Sequence, residues 1–219
     1  MLNIVVIGSS GHARVVIDAA RLRGFEVVGI LDDGRPPGDV VAGVPVLGPV
    51  GDAARLAADA HAAGCVVAIG DNGVRGRLLE RVAAAAPALA WPAVIHPSAV
   101  VAADATIGDG SFIAAGVVIG SQASVGRGCL INTLACVEHD AVIGDGASLA
   151  PRATAGGASR VGAYAAVELG AALNRGASIG DDTVVTPGSV VIGSLPGCLV
   201  ASGVPAVQVA VRSRGDRYL

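Results

Sequence analysis

The hexapeptides IGDGSF, IAAGVV, IGSQAS and VGRGCL follow one another without interruption at residues 107–130. Each begins with an aliphatic residue, and this register continues at every sixth position from Ile95 to Val191. The residue four positions later is Ala, Ser, Thr, Cys or Val in every repeat except the last, where Leu195 stands. An α-helix has a period of about 3.6 residues and a lone strand a period of about 2. A period of six therefore predicts a short strand and a turn, repeated.

Glycines recur every 18 residues, at positions 108, 126, 144, 162 and 180. Three hexapeptides would close one triangular coil of that length, with the glycines at one corner. Coils of this kind stack through parallel strand hydrogen bonds at about 4.8 Å. Residues 95 to 196 predict between five and six coils, with no insertion that interrupts the register. The aromatic content of only 2% agrees with an interior too narrow for rings.

The N-terminal part alternates strand-like and helix-like segments. Because strands and helices alternate, the pattern predicts an α/β domain with a small parallel sheet and helices on its faces. We expect this Rossmann-like domain to cover residues 1–92 and the parallel β-helix to cover residues 93–219. The predicted strands are residues 2–7, 26–31 and 65–69, and the predicted helices are residues 13–23, 50–63 and 73–86.

The first strand is followed by the glycine-rich loop Gly8-Ser9-Ser10-Gly11-His12, which opens a helix. Backbone N–H groups at such a helix start can hold a phosphate. The loop departs from the dinucleotide fingerprint GxGxxG, since Ser10 and Ala13 stand at the second and third glycine positions, and this argues against a hydride-transferring enzyme. A plain turn and helix cap is the equal alternative at this point. Asp32 and Asp33 end the second strand, where a ribose or a base could be bound.

Composition excludes several classes of partner. The net charge is −3 and no Lys/Arg cluster occurs, which argues against nucleic acid and anionic membranes. The longest uncharged apolar stretch, residues 82–95, is too short to span a bilayer and contains two prolines. The four cysteines lack metal-ligand spacing, and no basic segment precedes the first strand. We therefore expect a cytoplasmic protein with reduced thiols and no metal site.

His139 is the strongest catalytic candidate among four histidines. It lies two residues after the inward Val137, so it should face outward at a corner, between the carboxylates of Glu138 and Asp140. A histidine can accept a proton at neutral pH, and a paired carboxylate orients its ring. A solvated turn histidine is the alternative. Cys136 is a weaker candidate, as a nucleophile that carries the acyl group.

Taken together, the segments GSSGHARVVID (8–18), LDD (31–33), IGDN (69–72), INT (131–133) and EHD (138–140), with the repeats, resemble the nucleotide-sugar N-acetyltransferases. The resemblance covers nearly the whole chain. It implies a left-handed β-helix, acetyl-CoA as co-substrate, and a homotrimer with active sites at the seams. The acceptor would be a UDP-, dTDP- or GDP-linked 4-amino-4,6-dideoxy sugar, with GDP-perosamine as one example, and the reaction would belong to polysaccharide or O-antigen biosynthesis.

The same resemblance implies residue roles. His139 would be the general base, Asp140 would orient it, and Asn132 would lie close by. The nucleotide-sugar would be held by Gly8, Ser9, Ser10, Gly11, His12, Asp32, Asp33, Asp71 and Asn72. CoA would run along the β-helix, with Gly156, Gly157, Gly203 and Pro205 as candidate contacts. Many relatives have Lys where Val207 stands, so a phosphate contact from that position is lost.

Three other functions stay open. Sialic acid O-acetyltransferases share the two-domain plan. Zinc carbonic anhydrases also use hexapeptide repeats, but they need three histidines at one site, and the coils contain only His96 and His139. A scaffold without chemistry is the third possibility, although no row of threonines typical of ice-binding helices occurs. A bifunctional nucleotidyltransferase is excluded, because roughly 90 residues before the repeats are too few for that domain.

Overall fold

The computed structural model describes residues 2–218, so Met1 and Leu219, the ends of the two expected domains, lie outside it. The N-terminal part contains a five-stranded sheet of order β3-β4-β2-β1-β5. All neighbours are parallel except β3 and β4, which form an antiparallel hairpin. The strands are β1 Asn3–Ile7, β2 Glu26–Leu31, β3 Val40–Val41, β4 Val44–Gly48 and β5 Gly64–Val67.

Three helices cover this sheet: α1 Gly11–Leu22, α2 Ala53–Asp59 and α3 Asn72–Ala85. The buried residues of α1 recur at helical spacing and pack against one face of β1, together with residues of the β-helix. The opposite face of β1 packs against α2 and α3. The α1 helix is therefore enclosed between the sheet and the repeats, and its buried residues belong to one hydrophobic cluster that spans both.

Two elements differ from the sequence prediction. The segment expected to be one helix at residues 50–63 is a 3-10 turn, Val50–Asp52, followed by the short α2. The β3–β4 hairpin was not predicted. Its turn holds Ala42 at φ 50° and Gly43 at φ 75°, the backbone conformation that a tight two-residue hairpin requires. Ala gives little sequence signal for this conformation, because it rarely adopts positive φ.

The repeats form a triangular prism with three parallel sheets, named here faces 1, 2 and 3. Face 1 contains β6 Val94–Ile95, β9 Phe112–Ile113, β12 Leu130–Ile131, β15 Ser148–Leu149, β18 Ala166–Val167, β21 Val184–Val185 and β24 Leu199–Gly203, and it is extended by the antiparallel β25 Ala206–Val211. Face 2 contains β7 Val100–Val101, β10 Val118–Ile119, β13 Cys136–Val137, β16 Thr154–Ala155, β19 Ala172–Leu173 and β22 Val190–Val191. Face 3 contains β8 Thr106–Ile107, β11 Ser124–Val125, β14 Val142–Ile143, β17 Arg160–Val161, β20 Ser178–Ile179 and β23 Ser194–Leu195.

The expected fold class, an α/β domain followed by a left-handed parallel β-helix, is confirmed. Neighbouring coils pair 18 residues apart, as in Val118 with Cys136. The aliphatic residue of each repeat points inward, and Ile113, Ile131 and Leu149 are fully buried. The strands make six full coils, and β24 begins a seventh.

The last coil breaks the period. Ser178 pairs with Ser194, 16 residues later, so two residues are missing from the corner that follows Val191. This deletion moves Leu195 into the aliphatic inward position, which explains why it interrupted the series of small residues. The irregularity is thus a deletion and not an insertion, and it lies where β24 and β25 close the end of the prism.

Four-residue turns form the edges of the prism. The first corner joins face 1 to face 2, the second joins face 2 to face 3, and the third joins face 3 back to face 1. The α3 helix lies on the third corner, where the Arg75 guanidinium donates to the carbonyls of Gly128 at 2.8 Å and Gly146 at 2.7 Å. No helix within residues 2–218 is long and apolar enough to cross a membrane.

Candidate active site

His139 lies at the second corner, in the turn that follows β13. Its Nδ1 is 2.7 Å from Asp140 Oδ2, and the two side chains are 54% and 57% exposed. Asp140 has φ 59°, a left-handed conformation that Asp tolerates better than most residues. With Asp140 ionised, Nδ1 carries the proton that it donates to the carboxylate, so Nε2 is left as the proton acceptor.

Gly157 lies beside the same imidazole, one coil further along the second corner. A Cβ atom at this position would be 2.7 Å from His139 Nε2, so any side chain here would displace the ring from its observed position. The amide of Ala158 donates to the His139 carbonyl at 2.8 Å, and that of Gly156 donates to the Leu173 carbonyl at 3.0 Å. The Gly157 amide has no acceptor within residues 2–218, so of the two glycines only Gly157 offers a free donor.

Cys136 is not activated as a nucleophile. Its thiol donates to Glu138 Oε1 at 3.5 Å. Burial and the neighbouring Glu138 raise the pKa of the Cys136 thiol to about 11, so it stays protonated at neutral pH. Only the thiolate is a good nucleophile, and the residue is therefore poorly suited to carry an acyl group.

A cleft of about 320 Å³ opens on face 1 beside the N-terminal part. We call it the face-1 cleft. It brings together two residues predicted to bind substrate, His12 and Asn132, and Gly70 of the loop that precedes α3. Its lining is completed by Leu130, Ser148, Ala150, Pro151, Glu168 and Leu169.

His12 is held in this cleft by packing. Its ring meets Phe112 edge-on, with centroids 5.5 Å apart and an angle of 80° between the planes. Burial and the nearby Arg75 lower the pKa of His12 to about 4. The ring is therefore neutral at pH 7 and can both donate and accept a hydrogen bond.

Other predicted nucleotide residues lie at the carboxyl edge of the sheet. Gly8 has φ 101°, which favours glycine, and Ser9 Oγ accepts from Arg35 Nε at 3.1 Å. Asp32 and Asp33 line a shallow pocket with Arg35. Asp32 Oδ1 also accepts from the Gly34 amide at 2.7 Å, and Asp33 Oδ1 accepts from the Val50 amide at 2.8 Å. Ser10 and Gly11 mark the start of α1, where Ser10 is the N-cap but makes no side-chain cap hydrogen bond.

Asp71 and Asn72 have structural partners. Asp71 Oδ1 caps α3 by accepting from the Val74 amide at 2.8 Å. Asn72 is 1% exposed, and its amide donates to the carbonyls of Tyr164 and Ala165 at the third corner. Neither residue lines the face-1 cleft. Asp71 therefore caps α3, and Asn72 fixes this helix to the prism.

Within one chain, Asn132 and His139 are not neighbours. Asn132 lies at the first corner, where its Oδ1 accepts from the Thr133 amide at 2.8 Å, and His139 lies at the second. The whole width of face 2 separates them. The expected proximity of these two side chains is therefore not met inside a single copy.

The remaining predicted CoA contacts, Gly203 and Pro205, form the turn between β24 and β25. Gly203 has φ 103°, and its amide donates to Ser189 Oγ at 3.0 Å. Val204 and Val207 beside them are 72% and 57% exposed.

The sequence reasoning missed Ser148 and Glu168 in the cleft. The period of 18 could have found Glu168, because it lies two coils beyond Asn132 at the same corner position. Within residues 2–218, no group of three His, Cys, Asp or Glu side chains is arranged to hold a metal ion.

Family models match both parts of the chain. Residues 3–82 match the PglD N-terminal domain, and residues 93–121 match the bacterial transferase hexapeptide family of six repeats. No curated protein matches the sequence significantly.

Solved structures match over nearly the full length. PerB from Caulobacter crescentus, in complex with CoA and GDP-perosamine, is 36% identical over 94% of this chain and 96% of its own, with a TM-score of 0.88. A histidine-to-alanine mutant of GDP-perosamine N-acetyltransferase from the same bacterium, with the same ligands, has equal identity and coverage and a TM-score of 0.89. The acetyltransferase domain of PglB from Neisseria gonorrhoeae, in complex with acetyl coenzyme A, is 29% identical over 94% of this chain and 98% of its own, with a TM-score of 0.86.

Proposed function

Since the chain belongs to the hexapeptide-repeat nucleotide-sugar N-acetyltransferases, we propose that it acetylates the 4-amino group of a nucleotide-linked 4-amino-4,6-dideoxy sugar. It is an acetyl-CoA-dependent acetyltransferase. The observation that carries the proposed acceptor is the full-length similarity, at 36% identity, to an N-acetyltransferase solved with CoA and GDP-perosamine. GDP-perosamine is therefore the first acceptor to test. An enzyme with these two substrates would act in the cytoplasm, before polysaccharide assembly.

The proposed base is His139. Its free Nε2 takes a proton from the sugar amine while the amine nitrogen forms a bond to the acetyl carbon of the thioester. Asp140 fixes the tautomer through Nδ1 and stabilises the imidazolium that forms. Collapse of the tetrahedral intermediate breaks the carbon–sulfur bond, and the imidazolium returns its proton to the departing CoA sulfur.

The proposed oxyanion donor is the Gly157 amide. It is free within residues 2–218 and lies beside the ring that would hold the attacking amine. A backbone N–H in fixed position stabilises the negative oxygen of a tetrahedral intermediate without reorganisation. CoA would extend from this point along the prism towards the Gly203–Pro205 turn.

The acceptor would lie with its sugar in the face-1 cleft. There, neutral His12 and Asn132 offer hydrogen bonds, while Leu130 and Leu169 offer an apolar surface. Its nucleotide would extend to the carboxyl edge of the sheet, near Gly8 and the Asp32-Asp33 pair, where ligands of open α/β sheets bind.

We also propose that the complete site is formed between copies in a trimer. Face 2 carries a mostly apolar outward row, in which Val100 and Val118 are 63% and 44% exposed. The outward row of face 3 is mostly hydroxyl-bearing, as in Thr106 and Ser124, with Arg160. Burial of face 2 in an interface between copies would therefore remove more apolar surface from water than burial of face 3.

A threefold arrangement with face 2 inward would also complete the chemistry. The first corner of each copy would then meet the second corner of the next. Asn132 and His139 belong to the same coil. Asn132 of one copy and His139 of the next would therefore lie at the same level along the prism axis, on opposite sides of the interface between the copies. The face-1 cleft of one copy would thereby receive the His139 of its neighbour.

An acceptor panel tests the proposed function. Acetyl-CoA is supplied with UDP-, dTDP- and GDP-linked 4-amino sugars, with the free amino sugars, and with sialic acid, and acetylation is followed by mass spectrometry. We expect one nucleotide-linked amino sugar to be acetylated well and the free sugars poorly. A preference for sialic acid would replace the proposal with O-acetyl transfer.

A further inference from the structure

Glu168 brings a carboxylate into the face-1 cleft from the first corner. The residue is half-buried, and this desolvation raises the pKa of its carboxyl above the usual value. Yet no donor within residues 2–218 hydrogen-bonds to the carboxylate, and no Arg, Lys or His there forms an ion pair with it. A partly desolvated carboxylate gains from a donor, and its place in the open cleft leaves Glu168 free to accept one from a ligand.

Within residues 2–218, none of the charged groups around Glu168 forms an ion pair with it. Across the cleft lies His12, which is uncharged at pH 7. A second cleft on the other side of Glu168 is lined by the C-terminal segment. Its charged and titratable groups are Arg212, Asp216, Arg217 and Tyr218. Tyr218 is itself engaged, because its hydroxyl hydrogen-bonds to Ser148 Oγ at 3.2 Å.

We propose that Glu168 is a specificity-determining residue that binds the ammonium group of the acceptor and so selects amino sugars over hydroxy sugars. This inference rests on the proposed function, because it takes the face-1 cleft as the sugar site. The acceptor amine arrives protonated at neutral pH, and Glu168 accepts a charge-assisted hydrogen bond from it. The first proton of the ammonium leaves to solvent before attack, so His139 of the neighbouring copy stays neutral and takes the second proton during attack, while Glu168 stays ionised throughout.

Equilibrium binding tests the role. Wild type and Glu168→Gln are titrated calorimetrically at pH 6.5 with GDP-perosamine and with UDP- and dTDP-linked 4-amino-4,6-dideoxyglucose. Each is paired with its counterpart that has a hydroxyl in place of the amine. Because a hydrogen bond to a charged group is at stake, we expect Glu168→Gln to weaken binding of the preferred amino sugar by about 10- to 100-fold. Its hydroxy counterpart should bind both proteins alike.

Glu80→Gln is the matched control. Glu80 is exposed on α3 and does not line the face-1 cleft, so its loss should change neither affinity. Glu168→Asp, which keeps the charge, should retain part of the preference for the amine. If Glu168→Gln weakens binding of the amino sugar and of its hydroxy counterpart equally, or changes neither affinity, the proposed role of Glu168 is overturned while the proposed function stands. If none of the three amino sugars binds wild type, the proposed function itself fails, and this inference with it.

Discussion

At the scale of single residues, the proposed base is unusually open to solvent. His139 and Asp140 are both more than half exposed in one chain. Such a pair would be only weakly coupled in water, because exposed charges are screened. The hydrogen bond of 2.7 Å therefore serves mainly to orient the ring, and a partner surface that covers it would strengthen the pair.

Replacement of the base should separate binding from chemistry. In His139→Asn, we expect turnover to fall by about 10² to 10⁴, the usual contribution of a positioned base, while acetyl-CoA affinity changes little. Asp140→Asn should lower turnover by less, because Asp140 only orients the imidazole ring and tunes its basicity. Steady-state kinetics with acetyl-CoA titrations measure both. Wild-type turnover in His139→Asn would mean that the amine reacts by its own basicity and that the site supplies only proximity.

His12 should make the fold sensitive to acid. Its pKa falls from 6.5 in the unfolded chain to about 4 in the fold. Between these values the unfolded chain binds more protons, so the free energy of unfolding decreases as pH falls from about 6.5 towards 4. His12→Gln should remove about 1 to 3 kcal/mol of this decrease. Urea unfolding at several pH values measures it, with the exposed His61→Gln as control, and parallel curves for wild type and His12→Gln would contradict it.

At the scale of elements, glycine and arginine join α3 to the prism. The glycines at positions 108, 126, 144, 162 and 180 are required because a Cβ there would lie 2.4–2.6 Å from an atom of the next coil. The first position of each third-corner turn is thus stacked too closely for a side chain, and carbonyls from later positions of these turns face α3. The Arg75 side chain is only 2% exposed, and its guanidinium donates hydrogen bonds to several of these carbonyls.

Removal of this guanidinium should loosen α3. Arg75→Leu leaves the Gly128, Gly146 and Gly70 carbonyls without a donor, so we expect the free energy of unfolding to fall by about 3 to 5 kcal/mol. Arg77→Leu, on the exposed side of the same helix, should change it by less than about 0.5 kcal/mol. Denaturant unfolding measures both. Equal effects of the two substitutions would show that Arg75 does not fix the helix.

At the scale of the whole molecule, the two halves of the proposed site lie on opposite edges of face 2. One copy holds the face-1 cleft at the first corner and His139 at the second. A chain that worked alone would have to bring these groups together across a rigid prism. The proposed trimer meets the requirement by symmetry.

Mixed assemblies test this arrangement. His139→Asn lacks the base and Asn132→Ala alters the cleft, so each variant alone should have low acetyltransferase activity. After the two are unfolded and refolded together in equal amounts, about one quarter of the seams should pair an intact cleft with an intact base, and activity should recover to about that fraction of wild type. Separately refolded samples that are then combined are the control. No gain after mixed refolding would show that each site is complete within one chain.

The sequence by itself determined the prism, its 18-residue coil and the outward position of His139, because each follows from a strictly periodic pattern along the chain. It also indicated His12 and Asn132, but not that His12 is neutral, or that Asp71 caps α3 and Asn72 fixes it to the prism instead of lining the cleft. Those outcomes depend on contacts between residues far apart in sequence, such as Asn72 with Ala165, 93 residues away. Only the tertiary structure placed the cleft and the base at different corners and turned Glu168 into the cleft, because the docking of α1 and α3 on the prism carries no periodic signal.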